Sequence, residues 1–231
     1  DAESVFKFLL NRYNIIDLNY FLDVVNKKKK NLLPQKALII TFDDGHINNY
    51  KLLPIINKYS IPITIFLCSS IVASNRKFWF KIKDISKNKN NLKKMSNHNR
   101  IKSLSNLGFE QKKEYESPEA LTEKQINEMK KYVNFQSHTL FHPCLPMCSY
   151  DEAKKEIFNS KNKLENKFKL KINSISYPNG DYSKRDVQLS KEAGYDCGIT
   201  VDSGYNTVHT DLFRLKRIMV GMNNINFPFK I

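Results

Sequence analysis

The stretch TFDDG, residues 41–45, places two adjacent carboxylates, Asp43 and Asp44, directly after a short apolar run. A turn at the end of a strand is satisfied by one Asp or Asn, whose side chain hydrogen-bonds the local backbone. The second carboxylate therefore calls for a partner from elsewhere in the chain. Binding a metal ion and accepting a proton are two roles that neighbouring acids can divide between them.

A pair of histidines four residues apart, His138 and His142 in SHTLFH, supplies candidate partners. This spacing suits two ligands of one ion, although an ordinary hydrogen-bonded loop is the alternative for the pair alone. With Asp43 or Asp44 added, the set becomes two imidazoles and one acid, which is the ligand count of catalytic zinc. The remaining aspartate could then take a proton from a metal-bound water. Imidazoles disfavour a purely oxygen-ligated Mg²⁺ or Ca²⁺ site.

A structural zinc site is the rival interpretation of the same histidines. Its four ligands would be His138, His142, Cys144 and Cys148. Only one residue separates His142 from Cys144, which is tighter than the usual spacing of paired ligands, and the two aspartates would stay unexplained. Otherwise both cysteines belong to a loop packed against the rim of the fold. Four scattered cysteines do not indicate a disulfide framework.

Composition indicates one compact domain over residues 1–231, because 41% hydrophobic residues suffice for a sizeable core. The net charge of +15 is spread over helix surfaces and Asn-rich runs, so we interpret it as solvated surface and expect no nucleic-acid partner. A weak preference for an anionic glycan or a membrane surface is the alternative interpretation of this charge. No apolar run is long enough for a transmembrane helix. The residues that follow Asp1 do not resemble a signal peptide, which leaves secretion open, and neither a location nor an oligomeric state is predicted.

Strand, turn and helix alternate along the chain, which predicts a parallel sheet, closed or doubly wound. Helix starts are marked by capping pairs such as Thr122 with Gln125 and Ser149 with Glu152. Residues 75–118 interrupt the alternation and are predicted to hold one or two helices beside the site. The predicted strands are 37–42, 63–68, 133–137, 172–177, 197–201 and 215–220, and the predicted helices are 50–59, 121–132, 150–168 and 183–194.

Three polar clusters, TFDDG, SHTLFH and YPNGDY, each follow one of these strands. In a parallel α/β barrel the carboxyl ends of the strands share one rim, where active sites are built. The topology therefore predicts that the three clusters converge.

Taken together, TFDDG, SHTLFHP and SYPNGDYS resemble, in this order, the NodB-homology polysaccharide deacetylases, carbohydrate esterase family 4. The resemblance extends from about Ala37 to Val220. It implies a distorted parallel (β/α) barrel of fewer than eight units. It also implies a divalent metal, usually Zn²⁺ with Co²⁺ or Ni²⁺ as substitutes, and removal of acetyl groups from an N-acetylated glycan of the cell envelope or surface.

The resemblance also implies a role for each motif residue. Asp43 would be the general base that activates a metal-bound water. The metal ligands would be Asp44, His138 and His142. The tetrahedral oxyanion would be held by the metal and by the backbone N–H of Asn179, next to a substrate-lining Pro178.

Two departures from the family pattern bear on this assignment. The usual Arg-x-Pro-Tyr motif is replaced by residues 176–179, Ser-Tyr-Pro-Asn. Arg217 on the last strand is a candidate substitute for the missing arginine, and a structural salt bridge is the alternative. The usual Leu-x-His motif has no counterpart, because residues 221–224 read Gly-Met-Asn-Asn. The candidate proton donors are then His46, His209, His98 and metal-bound water.

Other functions stay open at this point. A catalytically impaired domain that binds metal and glycan is the first alternative, followed by a zinc amidase for a small amide and by a basic interaction module. Four aromatic residues near the rim could stack on sugar rings: Phe78, Trp79, Phe80 and Tyr182. A tryptophan in a cluster such as FWF is more often a core residue, which is the alternative for Trp79.

Overall fold

The structure, a computed structural model, describes residues 2–27, 32–82, 85, 88–207 and 209–220. The helices in these ranges are α1 (Ala2–Leu10), α2 (Leu18–Asn26), α3 (Leu53–Tyr59), α4 (Lys89–Lys94), α5 (Asn97–Asn106), α6 (Glu123–Met129), α7 (Tyr150–Phe168) and α8 (Lys184–Glu192). The strands are β1 (Asn14–Ile15), β2 (Ala37–Leu38), β3 (Ile40–Phe42), β4 (Ile63–Leu67), β5 (Val133–Ser137), β6 (Ser174–Ser176), β7 (Cys197–Ser203) and β8 (Leu215–Arg217).

Six of these strands, β3 to β8, form one parallel sheet in chain order. The sheet curls into a half-barrel, so the predicted barrel of fewer than eight units is confirmed. Because all six strands run in the same direction, their carboxyl ends lie along one rim. The turns after β3, β5 and β6 therefore meet there, as the sequence predicts.

The middle of the sheet is the core of the molecule. Every residue of β4 and of β6 is buried, as is typical of parallel strands covered on both faces by helices. Helices α3, α6, α7 and α8 contribute apolar side chains to this core, among them Ile56, Ile126, Ile157 and Leu189. This packing fixes the strand ends on which the polar motifs stand.

The helix starts predicted from capping residues are confirmed. Helices α6, α7 and α8 each begin with a complete capping box, the third formed by Ser183 and Asp186. The bounds of α7, 150–168, are those predicted. Gly194 lies just beyond α8 with a φ of +76°, the left-handed conformation predicted for the end of that helix.

Of the ten predicted elements, 133–137 and 150–168 have the bounds of the structure, and three of the other eight differ in ways that affect pairing or packing. Residues 37–42 are not one buried strand, because β2 pairs with β1 and only β3 joins the main sheet. The predicted helix 50–59 is an α-helix only from Leu53, preceded by a 3₁₀ turn over Ile47–Leu52, because Pro54 suits only the first turn of an α-helix. Strand β8 ends at Arg217, beyond which residues 218–220 are exposed.

The interruption between β4 and α6 contains helices α4 and α5, as predicted. Their apolar residues form a separate cluster with Trp79, Phe109 and Cys144. The segment therefore packs against the loop that follows β5, on the rim side of the sheet. None of the helices in the described ranges has the length and apolar character that a bilayer span requires.

Candidate metal centre

The turns after β3 and β5 bring one carboxylate and two imidazoles together. Asp44 Oδ1 lies 3.5 Å from His138 Nε2 and 3.4 Å from His142 Nε2. One ligand atom from each of the three residues lies within 4.8 Å of the others. Because the three ligand atoms lie this close together, a single ion placed between them could be bound by all three.

The chemistry of this donor set fits a divalent metal. Asp44 Oδ1 is buried and has no hydrogen-bond partner among the described residues. Burial would raise the Asp44 pKa, but the two neighbouring histidines outweigh it and lower the pKa to about 2. Burial lowers the pKa of His142 to about 3, so its imidazole is neutral, the form that binds a metal. A buried carboxylate oxygen with a lowered pKa, close to two imidazole nitrogens, is a donor set that could bind a divalent cation.

The two histidines are oriented by different means. His138 donates its Nδ1–H to the backbone carbonyl of Ser176 over 2.7 Å, which turns Nε2 towards Asp44. This is the usual arrangement of a metal-binding histidine. His142 has no such bond, because its buried Nδ1 has no hydrogen-bond partner among the described residues. Instead, its own carbonyl accepts the indole N–H of Trp79 over 2.8 Å.

Asp43 is not part of the ligand cluster and is paired with an arginine. The Arg217 guanidinium donates from Nη1 and Nη2 to the two carboxylate oxygens of Asp43, over 3.0 and 2.8 Å. Burial would raise the Asp43 pKa, but the charges of His138 and Arg217 outweigh it and hold the pKa below its ordinary value. The same guanidinium lies 3.3 Å from Ser176 Oγ. Arg217 thus reaches from β8 to the place where the family motif carries its own arginine on β6.

Backbone strain is concentrated in the three motifs. Of the eight non-glycine residues with positive φ in the described part of the chain, four lie in these turns: Asp44, Thr139, His142 and Asn179. Left-handed backbone costs an L-residue roughly 1–2 kcal/mol, so such residues persist where the surroundings fix them. In TFDDG the next residue is Gly45, where an added Cβ would lie 2.6 Å from Leu67 Cδ2. These turns make the adjacent aspartates face different partners.

The loop between the two histidines is braced by Glu156 of α7. Its Oε2 accepts the backbone N–H groups of Leu140 and Phe141, each over 2.9 Å. Burial raises the Glu156 pKa to about 7, although these bonds oppose the shift. The backbone carbonyls of Thr139 and Leu140 accept the N–H groups of Ser69 and Ser70, which follow β4. The loop geometry is therefore set by two other elements of the fold.

The third motif adjoins the same loop. Pro178 is buried directly after β6, and Asn179 follows with a φ of +58°. The Asn179 side-chain amide donates to Cys144 Sγ over 3.6 Å, two residues beyond His142. The turn carrying Pro178 and Asn179 is thus in contact with the loop that supplies the histidines.

The structural zinc alternative has no support in the described residues. The cluster whose ligand atoms converge there is Asp44, His138 and His142, and neither Cys144 nor Cys148 belongs to it. Cys148 Sγ donates to the Cys144 carbonyl over 3.6 Å, and both thiols are buried. Burial raises the pKa of Cys148 to about 12, so its thiol is protonated.

The structure also locates the four rim aromatic residues and His46. Phe78 and Trp79 are 0% and 2% exposed, so the idea that they stack on sugar rings is wrong, while Trp79 as a core residue is confirmed. Phe80 is only partly buried. The Tyr182 ring stacks on Tyr177 at 5.1 Å. His46 borders the site two residues after Asp44, and its Nδ1 accepts the Asn48 N–H.

The remaining candidate donors lie elsewhere. His98 is exposed on α5, and His209 is exposed between β7 and β8. The segment where the family places its proton-donating histidine, residues 221–224, lies outside the described residues.

Sequence reasoning missed Trp79 and Glu156 as neighbours of the ligand loop. A buried tryptophan needs a partner for its indole N–H, which was the available signal for Trp79. For Glu156 the signal was weaker, because a glutamate in the middle of a helix is ordinarily solvated.

Known protein families include one whose model matches most of this chain. The family model described as "Polysaccharide deacetylase" matches residues 30–198. A curated protein of Bacillus subtilis (strain 168), named "Putative polysaccharide deacetylase YxkH", is 24% identical over 197 residues. That match covers 84% of this chain and 55% of the relative, so the chain spans about half the length of the curated protein.

Two solved structures share the fold. The deacetylase PplD of Streptococcus pyogenes, solved in complex with acetate, has a TM-score of 0.68 and 22% identity, with 94% of this chain and 78% of PplD covered. The BpsB deacetylase domain from Bordetella bronchiseptica also has a TM-score of 0.68, with 18% identity and coverage of 93% and 82%. At these identities the likeness is one of fold.

Proposed function

The chain belongs to the polysaccharide deacetylase family, and we propose that it is a metal-dependent hydrolase that removes acetyl groups from the amide nitrogens of an N-acetylated poly- or oligosaccharide. One observation carries the proposal. A convergent ligand cluster, Asp44 with His138 and His142, lies beside a second carboxylate, Asp43, that is held separately by Arg217. A cation-binding group and an independent proton acceptor are the two parts that amide hydrolysis by water requires.

The metal would be held by Asp44, His138 and His142. When bound, Zn²⁺, or Co²⁺ or Ni²⁺ in its place, supplies a Lewis acid that polarises the acetamide carbonyl and makes water more acidic. The donor set of two imidazoles and one carboxylate favours these ions over Mg²⁺.

Asp43 is the proposed general base. Its lowered pKa keeps the carboxylate ionised at neutral pH, and the Arg217 fork fixes both of its oxygens. Asp43 accepts a proton from the water that adds to the carbonyl carbon. When the C–N bond breaks, that proton is available to the leaving amine, and the products are acetate and a free amino sugar. Arg217 acts through Asp43 and is a positioning residue.

Asn179 is the proposed oxyanion donor through its backbone N–H. As the carbonyl carbon becomes tetrahedral, its oxygen gains negative charge, and a fixed backbone donor stabilises that charge without reorganisation. Pro178 before it, which the family resemblance places along the substrate, is buried and would fix this turn beneath the sugar. Asn179 has a positive φ, a backbone conformation that the surrounding structure has to fix. This supports a preorganised N–H donor at that position.

Acetate release tests the proposal directly. The protein would be stripped with a chelator, reconstituted with zinc, and incubated with N-acetylated chito-oligosaccharides, with acetate measured enzymatically. We expect release that requires zinc and returns when zinc is restored. If the folded, zinc-loaded protein bound the oligosaccharide but released no acetate, the proposal would be replaced by that of an impaired metal- and glycan-binding domain.

A further inference from the structure

We propose that the described residues between β4 and α6, 68–82, 85 and 88–122, are a structural part of the metal centre, in which Trp79 and Phe80 position the ligand His142. The inference rests on the metal site proposed above. The segment would then do more than pack against the rim of the sheet. It also predicts that metal affinity depends on residues that offer no ligand atom.

The first contact is between Trp79 and the backbone of the ligand. The indole Nε1–H donates to the His142 carbonyl over 2.8 Å, and both residues are buried. A buried indole N–H without a partner is costly, so this bond fixes Trp79 and the His142 peptide relative to each other. His142 has a φ of +57°, a left-handed backbone conformation that is uncommon for residues other than glycine. The bond from Trp79 therefore stabilises a strained residue at the point where its ligand atom must be aimed.

The second contact is on the imidazole itself. The Phe80 ring lies 4.6 Å from the His142 ring, centroid to centroid, at an interplanar angle of 51°. Trp79 meets Phe80 edge-on at 5.8 Å and 86°. His138 has a hydrogen bond that fixes its ring, whereas His142 has no partner on Nδ1 among the described residues. The aromatic face of Phe80 and the Trp79 bond therefore take the place of the usual outer hydrogen bond of a ligand histidine.

The third contact fixes Trp79 from behind. Arg100 of α5 is 1% exposed, and its guanidinium lies 5.2 Å from the Trp79 ring, within reach of a cation–π interaction. The same guanidinium donates to Asn97, whose amide donates to Glu152 of α7 over 2.8 Å. Trp79 is thus held between the ligand loop and a helix that is itself tied to the half-barrel. An anchor fixed on both sides can set the position of a ligand.

The experiment compares two variants that each delete one buried donor to a backbone carbonyl. Trp79→Phe keeps an aromatic ring but removes the bond to His142. Tyr195→Phe is the matched control, because its hydroxyl donates to the Ile157 carbonyl over 3.0 Å and the side chain is 4% exposed. Each variant removes one hydrogen bond to a buried backbone carbonyl, so both should lower the Tm of the metal-free protein. Zinc affinity would be measured by competition with a chromophoric chelator, alongside the Tm with and without zinc.

We expect Trp79→Phe to weaken zinc binding by roughly 10- to 100-fold, the usual scale for an outer-shell partner of a ligand. Tyr195→Phe should keep the zinc affinity of the parent. The absorption spectrum of the cobalt-loaded protein should change in Trp79→Phe and not in the control. Phe80→Leu, which keeps an apolar side chain, should weaken zinc binding to a smaller extent, and it serves as the test if Trp79→Phe does not fold.

Unchanged zinc affinity in Trp79→Phe and Phe80→Leu would overturn the inference while leaving the proposed metal site intact. Equal losses in Trp79→Phe and Tyr195→Phe would also overturn it, because the effect would then be general destabilisation. A parent protein that binds no zinc would overturn both the inference and the metal-dependent function, so the two failures are distinguishable.

Discussion

The rings of the two proposed ligand histidines lie 4.9 Å apart, centroid to centroid, yet different parts of the molecule hold them. His138 stands at the end of β5 and is oriented by the Ser176 carbonyl at the end of β6. His142 lies in a loop and is held by Trp79 and Phe80 from the segment between β4 and α6. The strand side of the site follows from parallel topology, whereas the loop side depends on contacts between distant segments. The position of His138 is therefore set by strand order, whereas that of His142 is set by contacts between segments distant in the chain.

The largest expected effect comes from removing either imidazole. His138→Ala and His142→Ala should each lower zinc affinity by more than the roughly 10- to 100-fold of an outer-shell change, because a three-ligand site cannot spare a ligand. Zinc content after dialysis, measured by mass spectrometry, checks this. Cys144→Ser and Cys148→Ser are the controls and should keep the metal. Loss of zinc in the cysteine variants but not in the histidine variants would restore the structural zinc alternative.

The next effect concerns Arg217, on the strand side. Arg217→Lys should lower kcat by about 10-fold and Arg217→Met by up to about 10²-fold, because an ammonium cannot fork both oxygens of the base Asp43. KM and zinc content should be unchanged. Arg185→Lys is the matched control, since Arg185 pairs with the buried Asp186 over 2.8 Å outside the ligand cluster. That control should lower Tm and keep kcat, and an equal fall in kcat would show that Arg217 is merely structural.

Glu156 holds the loop between the two histidines, and a variant at this position tests how that loop is stabilised. One oxygen accepts both backbone N–H groups, so Glu156→Gln can keep the loop. Burial raises the Glu156 pKa from 4.5 to about 7, so the parent loses stability as pH rises through that interval. The shift corresponds to about 3 kcal/mol at most. We expect Glu156→Gln to melt above the parent at pH 8 and to differ little below pH 4.5. The same difference at both pH values would contradict this.

The smallest effect is expected at Asn179. Asn179→Gly removes the side chain and its contact with Cys144, while glycine accepts the φ of +58° readily. If the backbone N–H is the oxyanion donor, kcat should stay within several-fold of the parent. A proline variant cannot test the N–H cleanly, because proline requires a φ near −65°. A loss of about 10²-fold in Asn179→Gly with zinc retained would assign the role to the amide side chain.

Much of the scaffold could be predicted from the sequence because local rules determine it. The capping boxes of α6, α7 and α8 and the bounds of α7 depend on residues within one helix. The convergence of the three polar motifs depends only on parallel strand order. These features follow from periodicity and topology, without knowledge of any side-chain contact.

The remaining features depend on partners far away in the chain. The run 37–42 is divided because β1, more than 20 residues earlier, pairs with its first half. The Asp43–Arg217 pair spans 174 residues, and the Trp79–His142 bond spans 63. Periodicity carries no information on such pairings. Arg217 was foreseeable as a candidate because the family motif lacks its own arginine here, whereas the bond from Trp79 was not.

The most direct test of the account is the pair Asp43→Asn and Asp44→Asn, measured for zinc content and acetate release under identical conditions. The two residues are adjacent and chemically identical, but one is the proposed base and the other a proposed ligand. We predict that Asp43→Asn keeps its zinc and loses roughly 10²-fold or more in kcat, whereas Asp44→Asn loses both zinc and activity. Full activity in Asp43→Asn, or loss of zinc from both variants alike, would contradict the division of roles between the two carboxylates.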